Sequence, residues 1–390
     1  MKINLVLLIA VVFISALSVS SQKNQTKWEG TIENKNGVII VNNIGGPIYE
    51  GAIFNLEEEM SIGEEEGPEE YLFSRITDFD VDEEGNIYII DGASAQIRIF
   101  GSDGKYLKSI GKKGQGPGEF QMPIFVQIAP QDKLVVFDYM VGKLIYFSLD
   151  GRYQRQKMAT WSRYSIQPIK LDSHGNLIGI EVMAPAPIDG KLLNKYDSDL
   201  KPIMEIFKEE QDIEHKNKNN KEFDIEKPML CCAVSLKDNI YWGYPEKYEI
   251  KNIDHNGNLI RIIQKKFKNL AISAKDKEKY ASRFSDIIKM GGKLVFPDKL
   301  PAFKDISIDN HERLYIKTYE QVEGKEDVFY FDVFDGEGKY LAKITPNANL
   351  NRHSVWKKGQ LYTIESDEKG YEKVVRYKIH WNIREISSTH

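Results

Sequence analysis

The chain has 390 residues, of which 41% are hydrophobic, 28% charged and 11% aromatic. This composition is typical of a folded domain and not of a disordered chain. The net charge of -5 provides no general attraction to phosphate backbones or anionic lipids, so we expect no nucleic-acid partner.

The first 21 residues predict a secretory signal peptide. Lys2 precedes an unbroken apolar run from Leu5 to Ile14, and small residues follow up to Ser21, which is the order of a cleavable signal. An uncleaved anchor is the alternative, although the run is short for a membrane span. We therefore expect an exported protein, periplasmic or extracellular, without an integral membrane span after cleavage. An N-terminal extension at 22–52 and one domain at 53–384 would follow the signal.

The only two cysteines, Cys231 and Cys232, are adjacent. Neighbouring cysteines rarely form a disulfide, because closing the ring strains the peptide between them. We expect two apolar thiols in a strand.

A repeat of 47 to 49 residues organises the first third of the chain. Three motifs return at this offset: Ile62-Gly63 as Ile110-Gly111, Gly67-Pro68 as Gly116-Pro117, and Ile89-Ile90-Asp91 as Val136-Phe137-Asp138. Self-similarity at a fixed period of this length indicates a repeat architecture.

Each repeat is predicted to contain four short strands. In the first unit they lie at 76–81, 87–90, 96–100 and 106–110. The connections Glu84–Asn86 and Ser102–Lys105 contain residues that tolerate the positive φ of a tight hairpin. Four antiparallel strands per repeat are typical of a β-propeller blade.

The later copies of the repeat are weaker, and the last is incomplete. They begin near Ile169, Ala233, Ile306 and Ser354. The last copy has only three strands, whereas Phe54–Ile62 has the pattern of a strand without partners. If that segment completes the last sheet, no blade edge stays exposed. The sequence therefore predicts an all-β, six-bladed β-propeller that an N-terminal strand closes.

Two segments depart from the repeat. Lys208–Pro228 is rich in charge, Asn and Lys, which predicts an extended loop between blades three and four. Ser273–Met290 has apolar residues at helical spacing and a capping serine, which predicts a helical insertion between blades four and five. We expect this helix to pack on the propeller; a lid over the central channel is the alternative.

The first repeat resembles the NHL repeat. The elements that carry the resemblance are Val81-Asp82, Gly85-Asn86-Ile87-Tyr88, Asp91, Ile97–Phe100 and Gly114–Phe120 with Pro123. The chain also looks like uncharacterised six-bladed propellers that gut-type Bacteroidetes export. The similarity extends over about Phe54–Ile379 and implies architecture more than activity, since one fold hosts unrelated functions.

The acidic residues allow a metal hypothesis. Asp80, Asp82, Glu84, Gly85 and Asp91 match much of an EF-hand loop, but predicted strands flank them where that loop needs helices. We interpret them as a hairpin. Other six-bladed propellers, the amidating lyases and lactonase-like enzymes, bind a metal in the central channel through residues on inner strands, so a site on the inner strands is the alternative.

That alternative is a calcium or zinc ion held by inner-strand carboxylates. Its candidate ligands are Asp78, Asp80 and Asp305. It accompanies the alternative function, a metal-dependent hydrolase or lyase at the channel mouth. Otherwise we expect no cofactor.

The preferred hypothesis is a non-catalytic binding or scaffold protein. In a propeller, the links between blades and the middle hairpins emerge on one face, and here those segments are long and contain aromatic residues and arginine, which are enriched in binding sites. The candidate ligand-binding residues are Tyr71, Arg75, Tyr139, Trp161, Arg163, Tyr164, Arg283 and His353. We expect a protein, peptide or glycan partner.

Overall fold

The computed structural model describes residues 26–51, 53–158, 164–183, 191–209, 222–325, 327–351 and 353–382. Each of six sheets contains a run of four consecutively hydrogen-bonded antiparallel strands, and one sheet carries two strands more. The predicted fold class, an all-β six-bladed propeller, is confirmed.

The chain begins with three strands and then forms blades one to three. The first strands are β1 (Gly30–Lys35), β2 (Val38–Asn43) and β3 (Phe54–Ile62). A 3-10 turn at Glu69–Tyr71 leads into blade one. Blade one consists of β4 (Ile76–Val81), β5 (Ile87–Asp91), β6 (Gln96–Phe100) and β7 (Tyr106–Ile110). Blade two consists of β8 (Pro123–Ala129), β9 (Lys133–Asp138), β10 (Lys143–Ser148) and β11 (Tyr153–Met158). Blade three consists of β12 (Tyr164–Leu171), β13 (Leu177–Met183), β14 (Lys191–Tyr196) and β15 (Pro202–Lys208).

Blades four to six contain the insertions. After β16 (Glu222–Asp224), blade four has β17 (Cys231–Val234), β18 (Ile240–Gly243), β19 (Glu249–Ile253) and β20 (Leu259–Lys265). Next come α1 (Ala274–Arg283), α2 (Ser285–Lys289) and β21 (Lys293–Val295). Blade five is β22 (Asp305–Ile308), β23 (Leu314–Gln321), β24 (Phe329–Phe334) and β25 (Tyr340–Ile344); blade six begins with β26 (Val355–Lys357), β27 (Gln360–Ser366) and β28 (Glu372–Trp381).

The N-terminal strand β3 completes blade six. It pairs antiparallel with β28, from Phe54 opposite Trp381 to Ile62 opposite Val374. The ring is therefore closed by main-chain hydrogen bonds between its first and last segments, as the incomplete sixth repeat predicts.

The two faces of the propeller differ in loop length. The hairpins that join the first to the second and the third to the fourth strand of a blade contain only two to five residues. Asp82 shows how they are fixed: its Oδ1 accepts hydrogen bonds from Glu84 N at 2.9 Å and Asn86 N at 2.7 Å. The same pattern recurs at Asp172, Asp254, Asp309 and Asp335. The acidic residues that match an EF-hand in sequence thus belong to a hairpin.

Six apolar cores hold the ring together, each one between two neighbouring blades. Successive residues of one strand contribute to different cores, because side chains alternate across a sheet. Cys231 packs between blades four and five, whereas Cys232 packs between blades three and four. Both thiols are buried in β17 and no disulfide joins them, which confirms the expectation from the sequence.

The N-terminal residues before β3 form two strands that the sequence analysis does not predict. Strands β1 and β2 form a hairpin, and β2 pairs in parallel with β20, so blade four has six strands. The chain then crosses blade five, where Tyr49 forms a bridge with Ala342, and reaches blade six as β3. We call residues 26–51 the strap.

The two insertions contain short β-strands as well as helices. Of the loop predicted at Lys208–Pro228, residues 210–221 lie outside the described part of the chain. The prediction is wrong at β16, which pairs in parallel with β21. The predicted helix is confirmed as α1 and α2, and the Ser273 hydroxyl accepts a hydrogen bond from Asp276 N at 3.0 Å as the N-cap. Among the described residues, no helix is long and apolar enough to cross a membrane.

Candidate functional site

A polar cavity occupies the centre of the ring. Its volume is about 700 Å³, and residues of all six blades line it, mainly from the first strand of each. This volume lies in the usual range for small-molecule sites, which is about 300–1,000 Å³. The cavity is therefore large enough for a ligand of several residues or sugar units.

Two carboxylates of β4 fasten blade one to blade two. The Oδ2 atom of Asp78 accepts a hydrogen bond from Val126 N at 2.9 Å, and Oδ2 of Asp80 accepts one from Ile128 N at 2.7 Å. Strand β8 is the inner edge of its sheet, so these N–H groups have no strand partner on that side. Asp78 and Asp80 satisfy them, which is a structural role for both candidate metal ligands.

The third candidate metal ligand lies apart from these two. Asp305 is half-buried at the start of β22, accepts a hydrogen bond from Ile306 N at 2.9 Å, and does not line the cavity. Within the described ranges, no group of three or more His, Cys, Asp or Glu side chains is placed to hold a metal ion. The structure does not bring Asp78, Asp80 and Asp305 together.

Two side chains of opposite charge, Lys170 and Asp80, line the cavity. Lys170, near the end of β12, lines the same cavity as Asp80. Its Nζ donates to Val234 O at 3.3 Å. Burial lowers the pKa of Lys170, and the negative charge of Asp80 opposes this shift. Burial raises the pKa of Asp80 from 3.8 to about 6, against the hydrogen bonds from Ile128 and Val81 and the positive charges of Lys170 and Lys357.

The raised pKa of Asp80 predicts a pH-dependent stability. A carboxyl group that binds its proton more tightly in the folded state stabilises the fold fully below its unfolded pKa, and this contribution is lost as the pH rises through the folded pKa. Asparagine does not titrate, so the Asp80→Asn variant does not lose this contribution as the pH rises. Between pH 4 and pH 7.5, we expect the free energy of unfolding of Asp80→Asn to increase by about 1–2 kcal/mol relative to that of the wild type, after allowance for partial solvent screening. Urea denaturation at several pH values measures this difference. The exposed Glu84→Gln is the control and should show no such trend; a pH-independent difference for Asp80→Asn would contradict the prediction.

Arg75 and His353 lie toward the opposite end of the cavity from Lys170. Both line the cavity where β4 and β26 begin, and Arg75 is exposed. His353 Nδ1 lies 3.0 Å from Asp78 Oδ1, and Glu372 accepts a hydrogen bond from Ile76 N at 2.5 Å. We call this end, where the links and middle hairpins emerge, the mouth. Two candidate ligand-binding residues, Arg75 and His353, therefore meet at one opening.

Among the other candidates whose side chains the structure describes, Tyr71, Tyr139 and Arg283 do not line the cavity. The Tyr71 hydroxyl accepts a hydrogen bond from Tyr106 N at 3.1 Å, and its ring packs against Phe100, so Tyr71 contributes to the structure of blade one. Tyr139 is 42% exposed in a middle hairpin. Arg283 is exposed at the end of α1, with its guanidinium 5.8 Å from the Phe284 ring centre.

The three remaining candidates lie at or just before the start of β12 in the sequence. Trp161 and Arg163 lie outside the described residues, and Tyr164 is described only as the first residue of β12. Their assignment as ligand-binding residues stays a prediction.

A half-buried acid, Glu226, anchors the helical insertion to the propeller. Glu226 accepts hydrogen bonds from the hydroxyls of Tyr280 on α1 and of Tyr319 on β23, and its Oε1 lies 2.9 Å from Lys304 Nζ. The positive charge of Lys304 and these hydrogen bonds lower the pKa of Glu226, although burial acts in the opposite direction. The insertion packs against blade five, as expected for an amphipathic helix.

Sequence reasoning missed Lys170 and Glu226. A lysine between the apolar residues Ile169 and Leu171 of a predicted inner strand marks Lys170 as unusual, because lysine is almost never fully buried unless it is paired, but this signal does not show which side of the sheet the lysine faces. No local signal distinguishes Glu226 in a segment rich in charge.

The model of one protein family, DUF5128, described as a 6-bladed beta-propeller, matches residues 66–290. This match extends over more than half of the chain. Among the curated proteins, none matches this sequence significantly.

Solved structures share the fold at low sequence identity. A Bacteroides fragilis protein whose name calls it exported has 12% identity and a TM-score of 0.52, and the match covers 87% of this chain and 99% of that one. A DUF4221 family member from Bacteroides vulgatus has 12% identity and a TM-score of 0.51, with 84% and 98% covered. A gluconolactonase from Xanthomonas campestris has 12% identity and a TM-score of 0.43, with 78% and 88% covered. At this identity the likeness to the first two shows the fold alone.

Proposed function

This chain belongs to the DUF5128 family of 6-bladed beta-propellers, and we propose that it is an exported, non-catalytic binding protein whose central cavity takes a peptide, either free or as a segment of a protein. The observation that carries the proposal is the cavity of about 700 Å³ with Arg75 and His353 at its mouth and unlike charges deeper inside. Residues on a rigid scaffold at the opening of a cavity are where ligands usually bind.

A peptide matches this lining better than a neutral glycan does. Lys170 and Asp80 have opposite charges, and a peptide offers charged groups and amides for both. In the described part of the chain, three aromatic rings line the cavity, those of Phe79, Phe125 and Trp356, and they are only 2%, 6% and 9% exposed. Trp356 also stacks on Tyr315 with ring centres 4.9 Å apart. These rings therefore have little free surface for a sugar.

Export is supported by the predicted signal peptide at residues 1–21 and by the name of the Bacteroides fragilis protein that shares the fold. Expression of the full chain with a C-terminal tag, followed by cell fractionation, tests it. The tagged protein should be shortened by about the length of a signal peptide and should leave the cytoplasm.

The binding proposal predicts that the mouth residues set affinity. A panel of unmodified peptides and a panel of neutral oligosaccharides should be screened by thermal shift and measured by calorimetry. We expect Arg75→Ala and His353→Ala each to weaken the best peptide about tenfold, because a charged hydrogen bond contributes about 1.5 kcal/mol or more. Glu84→Ala lies in a short hairpin away from the mouth and should leave affinity unchanged.

Two outcomes would contradict the proposal in different ways. If only oligosaccharides bind and the mouth variants weaken them, the site is correct and the ligand class is wrong. If ligands bind with equal affinity to Arg75→Ala, His353→Ala and the wild type, the mouth is not the binding site.

The metal-dependent hydrolase or lyase stays the alternative function. Elemental analysis of protein purified without chelators tests it directly. Stoichiometric zinc or calcium that is lost with Asp78→Asn would favour the enzyme over the binding protein.

A further inference from the structure

Lys170 and Asp80 form a pair of unlike charges that share a cavity without direct contact. No ion pair within 4.0 Å joins them among the described residues, although each acts on the pKa of the other. Both lie at the end of the cavity near the short hairpins, since β4 and β12 end at Val81 and Leu171. We call Lys170 and Asp80 the inner pair.

The Lys170 ammonium has capacity for more hydrogen bonds. It can donate three, and among the described residues it donates one, to Val234 O at 3.3 Å. Partly buried ammonium groups are costly unless they have acceptors. A ligand with a carboxylate would supply acceptors to the Lys170 Nζ atom.

The Asp80 carboxylate also has capacity for a further partner. Oδ1 accepts a hydrogen bond from Val81 N at 2.8 Å, and Oδ2 accepts one from Ile128 N at 2.7 Å. A carboxylate has about four lone-pair sites, so each oxygen of Asp80 can accept another donor. A ligand ammonium group is the donor that best compensates a half-buried negative charge.

Most other charged side chains around the inner pair already have hydrogen-bond or ion-pair partners. Lys357 Nζ lies 2.5 Å from Glu83 Oε1, and Asp238 accepts two hydrogen bonds from Ser173. Asp172 pairs with Lys195 at 2.6 Å. Asp132 also lines this end of the cavity, but it is exposed in the short hairpin between β8 and β9. Lys170 and Asp80 are therefore the half-buried charges of this end that a ligand can engage.

We propose that the inner pair is a subsite for a zwitterion, a ligand that carries an ammonium and a carboxylate, with the carboxylate on Lys170 and the ammonium on Asp80. This inference rests on the proposed peptide-binding function and names its ligand class. A free amino acid and a short peptide share this chemistry, and the cavity of about 700 Å³ accommodates both.

The experiment compares five probes by calorimetry at pH 7.5: alanine, dialanine, trialanine, N-acetyltrialanine and trialanine amide. Trialanine should bind, and blocking either end should weaken it about tenfold or more, the effect of losing one charged hydrogen bond. Lys170→Met should weaken trialanine by a similar factor and leave the affinity for trialanine amide unchanged. Asp80→Asn should do the same for trialanine and N-acetyltrialanine. Preference for alanine over trialanine would assign the subsite to free amino acids.

Lys357→Met is the matched control. It removes a lysine that lines the same cavity but already pairs with Glu83, so trialanine affinity should change less than about twofold. Thermal unfolding of each variant verifies the fold, and Lys170→Arg, which keeps the positive charge, should retain most of the affinity.

Equal affinity for trialanine and both blocked forms would overturn the zwitterion subsite while the peptide-binding function stands. Absence of binding by alanine, dialanine and trialanine at 10 mM would also overturn it, and the peptide panel then decides about the proposed function separately.

Discussion

Leu56→Asp is expected to open the ring. Leu56 lies on the closing strand β3, is 3% exposed, and belongs to the apolar core between blades five and six, with Val375 and Tyr377 of β28. A carboxylate at this position would be buried without a partner, at a cost of about 4 kcal/mol or more. We expect a large decrease in the urea midpoint and faster hydrogen exchange along β28.

Glu58→Gln on the same strand is the control. The Glu58 side chain is 49% exposed, and its ion pair with Lys373 is long, at 3.9 Å, so its loss should change the free energy of unfolding by less than about 0.5 kcal/mol. If Leu56→Asp unfolds at the same urea concentration as Glu58→Gln, then β3 does not close the propeller.

The strands of blade one could be predicted from sequence because local signals agree there. The predicted strands at 76–81, 96–100 and 106–110 have the bounds of β4, β6 and β7. Their turns contain Gly85 and Gly104, whose φ angles are +91° and +80°. Glycine adopts this conformation without steric cost, so the turn positions are readable in the sequence.

The β1–β2 hairpin had a readable signal that the repeat search did not use. Asn36 and Gly37 have φ angles of +54° and +89°, as in the turn that an Asn-Gly pair favours between two strands. The pairing of β16 with β21 is different, because it joins two three-residue strands far apart in the chain. Pairings of that kind depend on tertiary contacts and leave no local periodicity.

The mouth residues could be predicted more readily than the inner pair. Arg75 and His353 stand where inner strands begin, so topology alone places them at the opening. Lys170 follows a register shift between Pro168 and Lys170 in the pairing of β12 with β13. A β-bulge changes which side chains face each side of a sheet, so alternation along the sequence does not show that Lys170 lines the cavity.

The strap depends on one buried side chain, Asn43, which is 2% exposed. Its Nδ2 donates to Gln264 O and Gly338 O, both at 3.0 Å. Its Oδ1 accepts from Trp28 Nε1 at 2.9 Å and from Tyr340 N at 2.7 Å. Asn43 thus satisfies groups of blade four, blade five and the strap at once, which a repeat-based view of the sequence does not anticipate.

Asn43→Ala is therefore expected to destabilise the protein by about 2–4 kcal/mol, because it leaves several buried main-chain groups without partners. Urea denaturation measures the loss, and hydrogen exchange should increase most in β1 and β2. Asn42→Ala is the matched control: Asn42 donates to the Thr31 hydroxyl at 3.1 Å at an exposed position, so its removal should cost less than about 0.5 kcal/mol. Equal stability of the two variants would show that the strap is held by β2–β20 pairing and not by the Asn43 side chain.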